Sequence, residues 1–217
     1  MKGEIEPVRV IVPLKAIKKS KTRLSGLRSE DRAQLTRVML RNVLVALRKA
    51  RRISDVTVVS GDRTVSRMAH RYGARFLWEG KRPDLNEAVK LAIAKLEWRE
   101  SGAAMIIHAD LPFLTSQDID RFVTRSKGCQ IAIVPCKNGT GTNALLLRPP
   151  SAIAPVFGKA SYRMHVSLAK KTGFQWKVLR IPGIQFDVDD LRDLRVMMRN
   201  NGHHRDFRFL TKSALNN

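Results

Sequence analysis

The sequence has few cysteines, few aromatic residues and few acidic residues. Its 217 residues include two cysteines, Cys129 and Cys136, whose spacing matches no zinc or redox motif. We therefore expect reduced, buried thiols and a cytoplasmic protein. Nowhere do eighteen apolar residues run together, and the first thirteen residues mix charged with apolar side chains. These absences predict a soluble protein with neither a signal peptide nor a membrane partner.

The shortage of acidic residues leaves the chain strongly basic. Lysine and arginine number 41 against 19 aspartates and glutamates, which gives a formal net charge of +22. Such a charge attracts polyanions in general, from nucleotides to RNA or acidic lipid, and singles out none of them. The basic residues are spread over nearly every predicted helix, and only two tyrosines are present to stack on bases. No nucleic-acid-binding module is recognisable, although the charge leaves RNA binding open.

Short apolar runs alternate with amphipathic segments along the chain. We predict strands at residues 8–14, 56–60, 74–78, 103–107, 130–135, 144–147 and 175–181. We predict helices at residues 29–50, 65–72, 85–100, 116–125, 161–171 and 191–198. This alternation, without an internal repeat or a linker, predicts one α/β domain over residues 1–217. Its core is expected at about 8–200, followed by a basic tail, 201–217, with a possible last helical turn to Leu215.

Asp110 follows the most apolar of the predicted strands, residues 103–107. A strand buried on both faces and ended by the turn at Pro112 would place this carboxylate just beyond its carboxyl end. Ligands collect at that edge of open α/β sheets, so Asp110 is a candidate ligand of a divalent metal or a substrate. The alternative is that Asp110 stabilises the turn or caps the helix beginning near Thr115.

A second acidic group precedes the last helix. In an extended segment Asp187 and Asp189 lie on the same side, while Asp190 begins the helix. Carboxylates that face Asp110 would complete a metal site. Capping of the helix by Asp189 or Asp190 is the competing interpretation.

The loop after the first strand, residues 15–27, is basic and contains one glycine, Gly26. A Walker-type cradle needs several glycines, so this loop would have to hold phosphates through side chains such as Lys15, Lys21 and Arg23. Spacing alone favours a solvated cationic loop. Asn86 lies at a helix start, which is typical of a capping residue.

Two glycine-containing loops could bind an anion. Residues 138–143 are small and polar, and could form either a hairpin turn or a loop of free backbone amides. Gly158 and Lys159 precede a helix for which Ser161 is the predicted N-cap, with His165 one turn further on. A helix start of this kind binds phosphate or carboxylate, or is simply capped.

Taken together, these segments resemble the CofC/FbiD family, the guanylyltransferases of coenzyme F420 biosynthesis within the nucleotidyltransferase superfamily. Each motif is short, and the resemblance depends on their order and spacing over residues 8–195. The matching pieces are residues 12–24, 85–88, 110–112, 141–145, 157–161 with His165, and 186–194.

The resemblance implies a single-domain, Rossmann-like nucleotidyltransferase fold, with a mostly parallel central sheet and helices on both faces. It also implies an enzyme that binds GTP and Mg²⁺, joins GMP to a small phosphorylated acid and releases pyrophosphate. The acid is 2-phospho-L-lactate in the first place, or phosphoenolpyruvate, with 3-phosphoglycerate as a further option. The alternative from another class is a polyanion- or RNA-binding α/β module without catalysis. A homodimer is left open.

The resemblance also assigns roles by position. The triphosphate would be held by Lys15, Lys21 and Arg23, with Asn86 beside the guanine. Lys21, Arg23 and Asp110 would be catalytic, and the metal ligands would be Asp110, Asp187 and Asp189. The acid's phosphate and carboxylate would be bound by Thr142, Gly158 and Ser161. One departure is Asn138, where the family pattern has an acidic residue. The basic tail and the net charge are not explained by the family.

Overall fold

The computed structural model describes residues 8–17, 20–80, 84–96, 102–200, 207 and 209–210. Within this part of the chain the strands are β1 Val8–Pro13, β2 Ile53–Ser60, β3 Arg75–Trp78, β4 Ala103–Ile107, β5 Ile131–Pro135, β6 Thr142–Leu147 and β7 Trp176–Val178. The helices are α1 Ser29–Lys49, α2 Thr64–Arg71, α3 Leu85–Lys95, α4 Ser116–Arg125, α5 Ser161–Lys171, α6 Pro182–Gln185 and α7 Leu191–Arg199.

The strands form one twisted sheet in the order β3-β2-β1-β4-β6-β5-β7. All pair in parallel except β6, which runs antiparallel to both β4 and β5. The strand order reverses direction between β1 and β4, because β2 and β3 lie to one side of β1 and the later strands to the other. Such a switch point is where open α/β sheets bind ligands. The reversed β6 brings its amino end to the edge where β1 and β4 have their carboxyl ends.

Helices cover both faces of the sheet, as the side chains of β1 show. Val10 and Val12 pack into an apolar cluster with Leu44 of α1, and this cluster also contains side chains of α2 and α4. Ile11, which points the other way, packs with Val89 of α3 in a second cluster that includes α5. Each residue of β4 is at most 1 % exposed. The predicted fold class and the predicted burial of β4 on both faces are confirmed.

A third apolar cluster lies beyond the sheet, where α7 packs against the outer side of α1. Met39 of α1 and Leu194 of α7 are both fully buried there, and so is Leu24 from the basic loop. Phe207 and Leu210 of the predicted tail join this cluster at 1 % and 5 % exposure. The rest of that tail, including the predicted turn to Leu215, lies outside the described residues.

The structure departs from the predicted elements mainly at their ends. The strand expected at residues 175–181 is only three residues long, and it is followed by a short helix, α6, that the sequence pattern did not predict. Pro182 begins α6, because proline is tolerated in the first helical turn, where its missing N–H would have no helical partner. Helix α3 ends at Lys95, and residues 97–100 of the predicted helix are outside the described part. No helix of the described chain is long and apolar enough to span a membrane.

Candidate active site

A cleft of about 690 Å³ opens at the carboxyl ends of β1 and β4. This volume is within the range of small-molecule sites. The basic loop, the turn after β4, the start of β6 and the start of α5 all contribute to its walls. Its lining includes these residues that the sequence singled out: Lys15, Lys21, Arg23, Asp110, Thr142, Gly158, Ser161, Asp187 and Asp189. The topology therefore brings together every predicted site residue except Asn86.

One side of the cleft, which we call the charged half, consists of Lys21, Asp110, Asp187 and Asp189. The Lys21 ammonium donates to Asp110 Oδ2 at 2.6 Å and to the Val188 carbonyl oxygen at 2.5 Å. It also lies 3.6 Å from Asp189 Oδ1. The Lys21 side chain is only 8 % exposed, so this cation is held among the carboxylates and does not extend into solvent. Asp187 and Asp189 thus line the same cleft as Asp110.

Burial and charge act against each other in the charged half. Burial lowers the pKa of Lys21, but the attraction and hydrogen bond of Asp110, together with Asp189 and Asp187, outweigh it and raise the pKa overall. Burial likewise disfavours the charged form of Asp110, yet Lys21 and His108 leave its pKa below the ordinary value. For Asp187 the balance is the opposite, because its burial, together with the neighbouring Asp110 and Asp189, raises its pKa to about 6. The cluster therefore carries excess negative charge near neutral pH.

The backbone at Lys21 is in the left-handed region, with φ of 57°. A residue with a side chain adopts this conformation at a cost of about 1 kcal/mol or more, and such strain concentrates at functional sites. Here it directs the side chain inward, while Arg23 remains 79 % exposed, with Nη1 at 3.7 Å from Asp189 Oδ2. Lys15 is also exposed at the cleft. The predicted solvated cationic loop thus holds for Lys15 and Arg23 and is wrong for Lys21.

The charged half is a candidate binding site for a metal ion. The described residues contain no group of three or more histidine, cysteine, aspartate or glutamate side chains that could hold a metal by themselves. Asp110 Oδ1, however, is buried without a hydrogen-bond partner among the described residues. Three carboxylates surround the Lys21 ammonium, and the exposed Arg23 guanidinium lies 3.7 Å from one of them, Asp189. These groups fit a magnesium ion that takes its remaining ligands from substrate phosphates, as Mg²⁺ commonly does.

On the opposite side, Thr142 and Ser161 line the cleft and His165 lies buried behind them, and we call these three residues the hydroxyl half. The Thr142 amide donates to Ser161 Oγ at 3.0 Å. Thr142 Oγ1 lies 2.9 Å from His165 Nδ1, and the Val156 amide donates to His165 Nε2 at 2.9 Å. All three side chains of the hydroxyl half are at most 2 % exposed. This half is neutral and ordered by its own hydrogen bonds.

The start of α5 differs from the prediction. Ala160, with φ of 61°, occupies the N-cap position without a side-chain hydrogen bond, and Ser161 is the first helical residue. The prediction that Ser161 is the N-cap of α5 is therefore wrong. The amide of Ser161 donates to the Gly158 carbonyl and that of Tyr162 to the Thr140 carbonyl. With these amides used, this helix start still offers a ligand the Ser161 hydroxyl, the exposed Gly158 backbone and the exposed Lys159 side chain.

Asn86 does not line the cleft. Its Nδ2 donates to the Phe157 carbonyl at 3.1 Å, and its Oδ1 accepts from the Phe157 amide at 2.6 Å. The cap of α3 is Asp84, whose carboxylate accepts from the amides of Asn86 and Glu87. The capping interpretation of Asn86 is therefore wrong, and its side chain instead clamps the segment that leads into α5.

Helix capping elsewhere separates structural from candidate functional carboxylates. Thr115 caps α4 in a capping box with Asp118, and Asp190 caps α7 in a capping box with Asp193. The predicted capping of the last helix by Asp189 or Asp190 is confirmed for Asp190, whereas Asp110 and Asp189 cap no helix and the capping interpretation is wrong for them. Both carboxylates instead contact Lys21.

The family comparison agrees with this arrangement. Residues 8–216 match the family described as "Guanylyl transferase CofC like". The chain belongs to this family. The resemblance inferred from the motifs is thereby confirmed, and the chain is a member of a family of guanylyltransferase enzymes.

Individual members of the CofC-like family match over most of their length. A phosphoenolpyruvate guanylyltransferase of Sphaerobacter thermophilus is 36 % identical over 185 residues, which cover 85 % of this chain and 89 % of that protein. A 2-phospho-L-lactate guanylyltransferase of Methanothermobacter thermautotrophicus is 32 % identical over 211 residues, covering 94 % and 92 %. Among solved structures, a protein of Desulfovibrio desulfuricans G20 assigned to the nucleotide-diphospho-sugar transferases has a TM-score of 0.72 at 17 % identity and 94 % coverage of each chain. That likeness supports the fold.

Asn138, where the family pattern has an acidic residue, lies in the loop between β5 and β6. Asn138 Oδ1 accepts from the Thr140 amide at 3.1 Å, from Thr140 Oγ1 at 2.7 Å and from Cys136 Sγ at 2.9 Å. An aspartate would offer the same acceptor oxygen, so asparagine closes this turn without adding a charge. The same turn can therefore form with asparagine, and this loop residue adds no negative charge to the cleft.

Two residues of the cleft were not predicted to act there. His108 lines the cleft beside Asp110, and its Nε2 has no partner among the described residues. Asn143 donates from Nδ2 to the carbonyls of Ile184 and Gln185, which fixes α6 next to the segment carrying Asp187. His108 could have been suggested by its position after β4, but nothing in the sequence links Asn143 to α6, because they are about forty positions apart.

Proposed function

We propose that this protein transfers GMP from GTP to a small phosphorylated acid and releases pyrophosphate, as a guanylyltransferase of coenzyme F420 biosynthesis. The observation that carries this proposal is the division of one cleft into a charged half and a hydroxyl half. A nucleoside triphosphate with its metal requires charges of both signs. A small acid requires hydrogen-bond donors close to that centre.

The nucleotide lies along the charged half and the basic loop. Lys15 and Arg23, both exposed at the cleft, bind the β- and γ-phosphates, and Lys21 contributes a buried positive charge close to the reacting phosphorus. Asn86 borders the guanine. Each polar atom of its amide has one hydrogen-bonding position beyond the bond to Phe157, so a base contact is compatible with the clamp.

The metal proposed for this site is Mg²⁺. Asp110 and Asp189 would hold it, with Asp187 as the third nearby carboxylate, and it would neutralise phosphate charge on the nucleotide. The lack of a complete protein cage is consistent with an ion that arrives with the nucleotide.

The acid lies against the hydroxyl half. Thr142, Gly158 and Ser161 line the cleft on this side, and they offer two hydroxyl groups and an exposed backbone amide to carboxylate and phosphate oxygens. An oxygen of the acid's phosphate then attacks the α-phosphorus of GTP. The bond from that phosphorus to the oxygen bridging to the β-phosphate breaks, and its electron pair leaves with pyrophosphate. No protein nucleophile is needed, because positioning and charge neutralisation suffice.

The acid is a three-carbon 2-phosphocarboxylate. The sequence placed 2-phospho-L-lactate first, whereas the relatives described above include enzymes named for phosphoenolpyruvate and for 2-phospho-L-lactate. Both acids carry a carboxylate and a phosphate on adjacent carbons, which matches donors grouped on one side of the cleft.

The direct test is to incubate the protein with GTP, Mg²⁺ and each acid in turn, and to follow pyrophosphate and the guanylylated product. We expect product with one or both 2-phosphocarboxylates and little with 3-phosphoglycerate, ATP or CTP. Absence of product with every acid, in a folded protein, would contradict the proposal.

Ser161→Ala tests the acid side. It removes a hydroxyl donor to a charged group, worth about 1.5–3 kcal/mol, so the KM for the acid should rise roughly tenfold or more while the KM for GTP barely changes. Ser167→Ala, at an exposed serine of the same helix, is the matched control. A rise in the KM for GTP alone would mean that the nucleotide, and not the acid, binds at the hydroxyl half. A loss of thermal stability alone would mean that Ser161 has only a structural role.

RNA binding remains the alternative, because of the net charge of +22. Non-specific RNA affinity falls steeply with salt, whereas a site with directed contacts keeps its ligand. We expect Mg²⁺-dependent GTP binding to persist at a salt concentration that abolishes RNA binding. If both are lost together, the basic surface and not the cleft dominates.

A further inference from the structure

His165 is a buried polar residue that the proposed reaction does not use. It lies on α5 one turn beyond Ser161, is 0 % exposed, and does not line the cleft. A buried histidine with two hydrogen bonds is commonly just a satisfied core residue. Its two partners, however, are not equivalent, because one of them is the hydroxyl group of a cleft residue.

The hydrogen bonds of His165 determine which ring nitrogen carries the proton. The partner of Nε2 is a backbone amide, that of Val156, which can only donate. Nε2 must therefore be the unprotonated nitrogen, and in a neutral ring Nδ1 then carries the hydrogen. Burial, with a smaller contribution from His108, lowers the pKa of His165 to about 4, which keeps the ring neutral near pH 7.

The tautomer of His165 in turn orients Thr142. Since Nδ1–H donates, Thr142 Oγ1 accepts at 2.9 Å, and its own hydrogen must point elsewhere. Ser161 Oγ is in the same situation, because it accepts from the Thr142 amide. Neither hydroxyl hydrogen has an acceptor among the residues that the structure describes, and both residues line the cleft. The two hydroxyl groups are thus left as donors toward a ligand.

We propose that His165 is a positioning residue, which holds the Thr142 hydroxyl as a hydrogen-bond donor to the anionic group of the acid substrate. This inference rests on the proposed acid site. It adds that the site presents two hydroxyl donors, each with one acceptor position already taken by the protein, so it favours a fully ionised carboxylate or phosphate over an amide or an alcohol.

Two substitutions separate the roles of the two ring nitrogens. In His165→Asn the amide nitrogen lies near the position of Nδ1 and can still donate to Thr142. In His165→Gln the side-chain oxygen reaches the position of Nε2 and can still accept from Val156. Each substitution keeps one partner of His165. His165→Asn removes more buried volume than His165→Gln, so a general packing defect should be larger in His165→Asn, the reverse of the order expected here. His70→Asn and His70→Gln, at an exposed histidine of α2, are the matched controls.

We expect His165→Gln to raise the KM for the acid about tenfold, as Thr142→Val does, with the kcat at saturating acid and the KM for GTP changed less than about threefold. His165→Asn should stay within about threefold of wild type. The double variant Thr142→Val/His165→Gln should be no worse than Thr142→Val within about twofold, because His165 acts through that hydroxyl.

Several outcomes would overturn the inference. Equal acid KM values in His165→Asn and His165→Gln, or additive losses in the double variant, would reduce His165 to a structural residue. If Thr142→Val raises the KM for the acid and His165→Gln does not, His165 is again only a structural residue, and the proposed function is unaffected. An unchanged acid KM in Thr142→Val would remove the acid site itself, and this inference with it.

A measurement on the wild-type protein covers the case in which a variant fails to fold. Nitrogen chemical shifts of the imidazole rings, recorded by NMR at pH 7, distinguish the two neutral tautomers and the charged form. We expect the Nδ1–H tautomer for His165. The Nε2–H tautomer or a charged ring would overturn the proposal.

Discussion

The two halves of the cleft differ in how far the protein's own groups satisfy their charges and hydrogen bonds. In the hydroxyl half the hydrogen bonds among Thr142, Ser161 and His165 fix each group before a ligand arrives. In the charged half Lys21 balances only part of the negative charge, and Asp110 retains a buried oxygen without a partner among the described residues. One half is therefore organised by its own hydrogen bonds, whereas the other keeps an unpaired carboxylate oxygen and unbalanced charge among the described residues. This difference predicts that substitutions in the two halves have different consequences.

The largest effect is expected at Asp110. Asp110→Asn keeps the volume but removes the anionic ligand, which should lower kcat about 100-fold or more, given that a metal supplies several kcal/mol of charge stabilisation. Thermal unfolding should change little by comparison. The assay is steady-state turnover with GTP and each 2-phosphocarboxylate at saturating Mg²⁺.

Thr115→Ala is the control for Asp110, because Thr115 follows the same turn and caps α4. It should cost about 1 kcal/mol of stability and leave kcat within about twofold. Near-normal turnover in folded Asp110→Asn would return Asp110 to a turn residue and remove the contrast between the halves.

A smaller, two-part effect is expected at Lys21. Lys21→Met should weaken GTP roughly tenfold or more and GMP much less, because the β- and γ-phosphates are absent from GMP. It should also cost about 3 kcal/mol of stability without metal, since it leaves buried Asp110 unpaired, and Mg²⁺ should restore part of this loss. Isothermal titration and urea unfolding, each with and without Mg²⁺, measure these effects.

Lys90→Met, at an exposed lysine paired with Glu87, controls for the loss of one positive charge. Equal losses for GTP and GMP in Lys21→Met would mean that Lys21 acts only through the general field of the protein. A stability loss that Mg²⁺ does not reduce would mean that no cation replaces the ammonium.

The smallest effect concerns Asp187, whose pKa rises from 3.8 to about 6 on folding, because of burial and then of Asp110 and Asp189. The folded protein binds this proton more tightly than the unfolded chain, so the stabilisation is fully present below about pH 4 and is lost as the pH rises through 6. Between pH 4.5 and 7 wild type should lose up to about 2 kcal/mol more than Asp187→Asn. Urea unfolding without divalent cations, compared between the two proteins at each pH, measures the difference. Parallel curves would contradict it.

Much of the cleft could be predicted because strand ends are local features. Apolar runs fix where β1 and β4 stop, and the edge rule for open sheets then places Lys15 and Asp110 near each other. The same reasoning missed the orientation of Lys21, whose partners lie 89 and 167 positions away. It also missed the clamp between Asn86 and Phe157, 71 positions apart.

The start of α5 shows a different limit of prediction. Serine is a good N-cap by preference, and the sequence offers Ser161 there. The backbone instead places Ala160 in a left-handed conformation at the cap, which frees the Ser161 hydroxyl for Thr142. The N-cap preference of serine is overridden here, and Ser161 instead forms a tertiary hydrogen bond between α5 and β6. A hydrogen bond between such distant segments leaves no periodic pattern in the sequence.

The hydrogen bond from Lys21 to Val188 has a consequence for how the chain folds during its synthesis on the ribosome. Its partners are 167 positions apart, whereas Thr142 is only 19 positions from Ser161 and 23 from His165. Closing the longer loop costs more chain entropy and belongs to the late steps of folding. During synthesis Thr142, Ser161 and His165 are all present once position 165 has been made, while Lys21 waits for positions 188 and 189. An unfinished chain therefore lacks the Val188 carbonyl and the Asp189 carboxylate that contact the Lys21 ammonium, and this late segment completes the charged half.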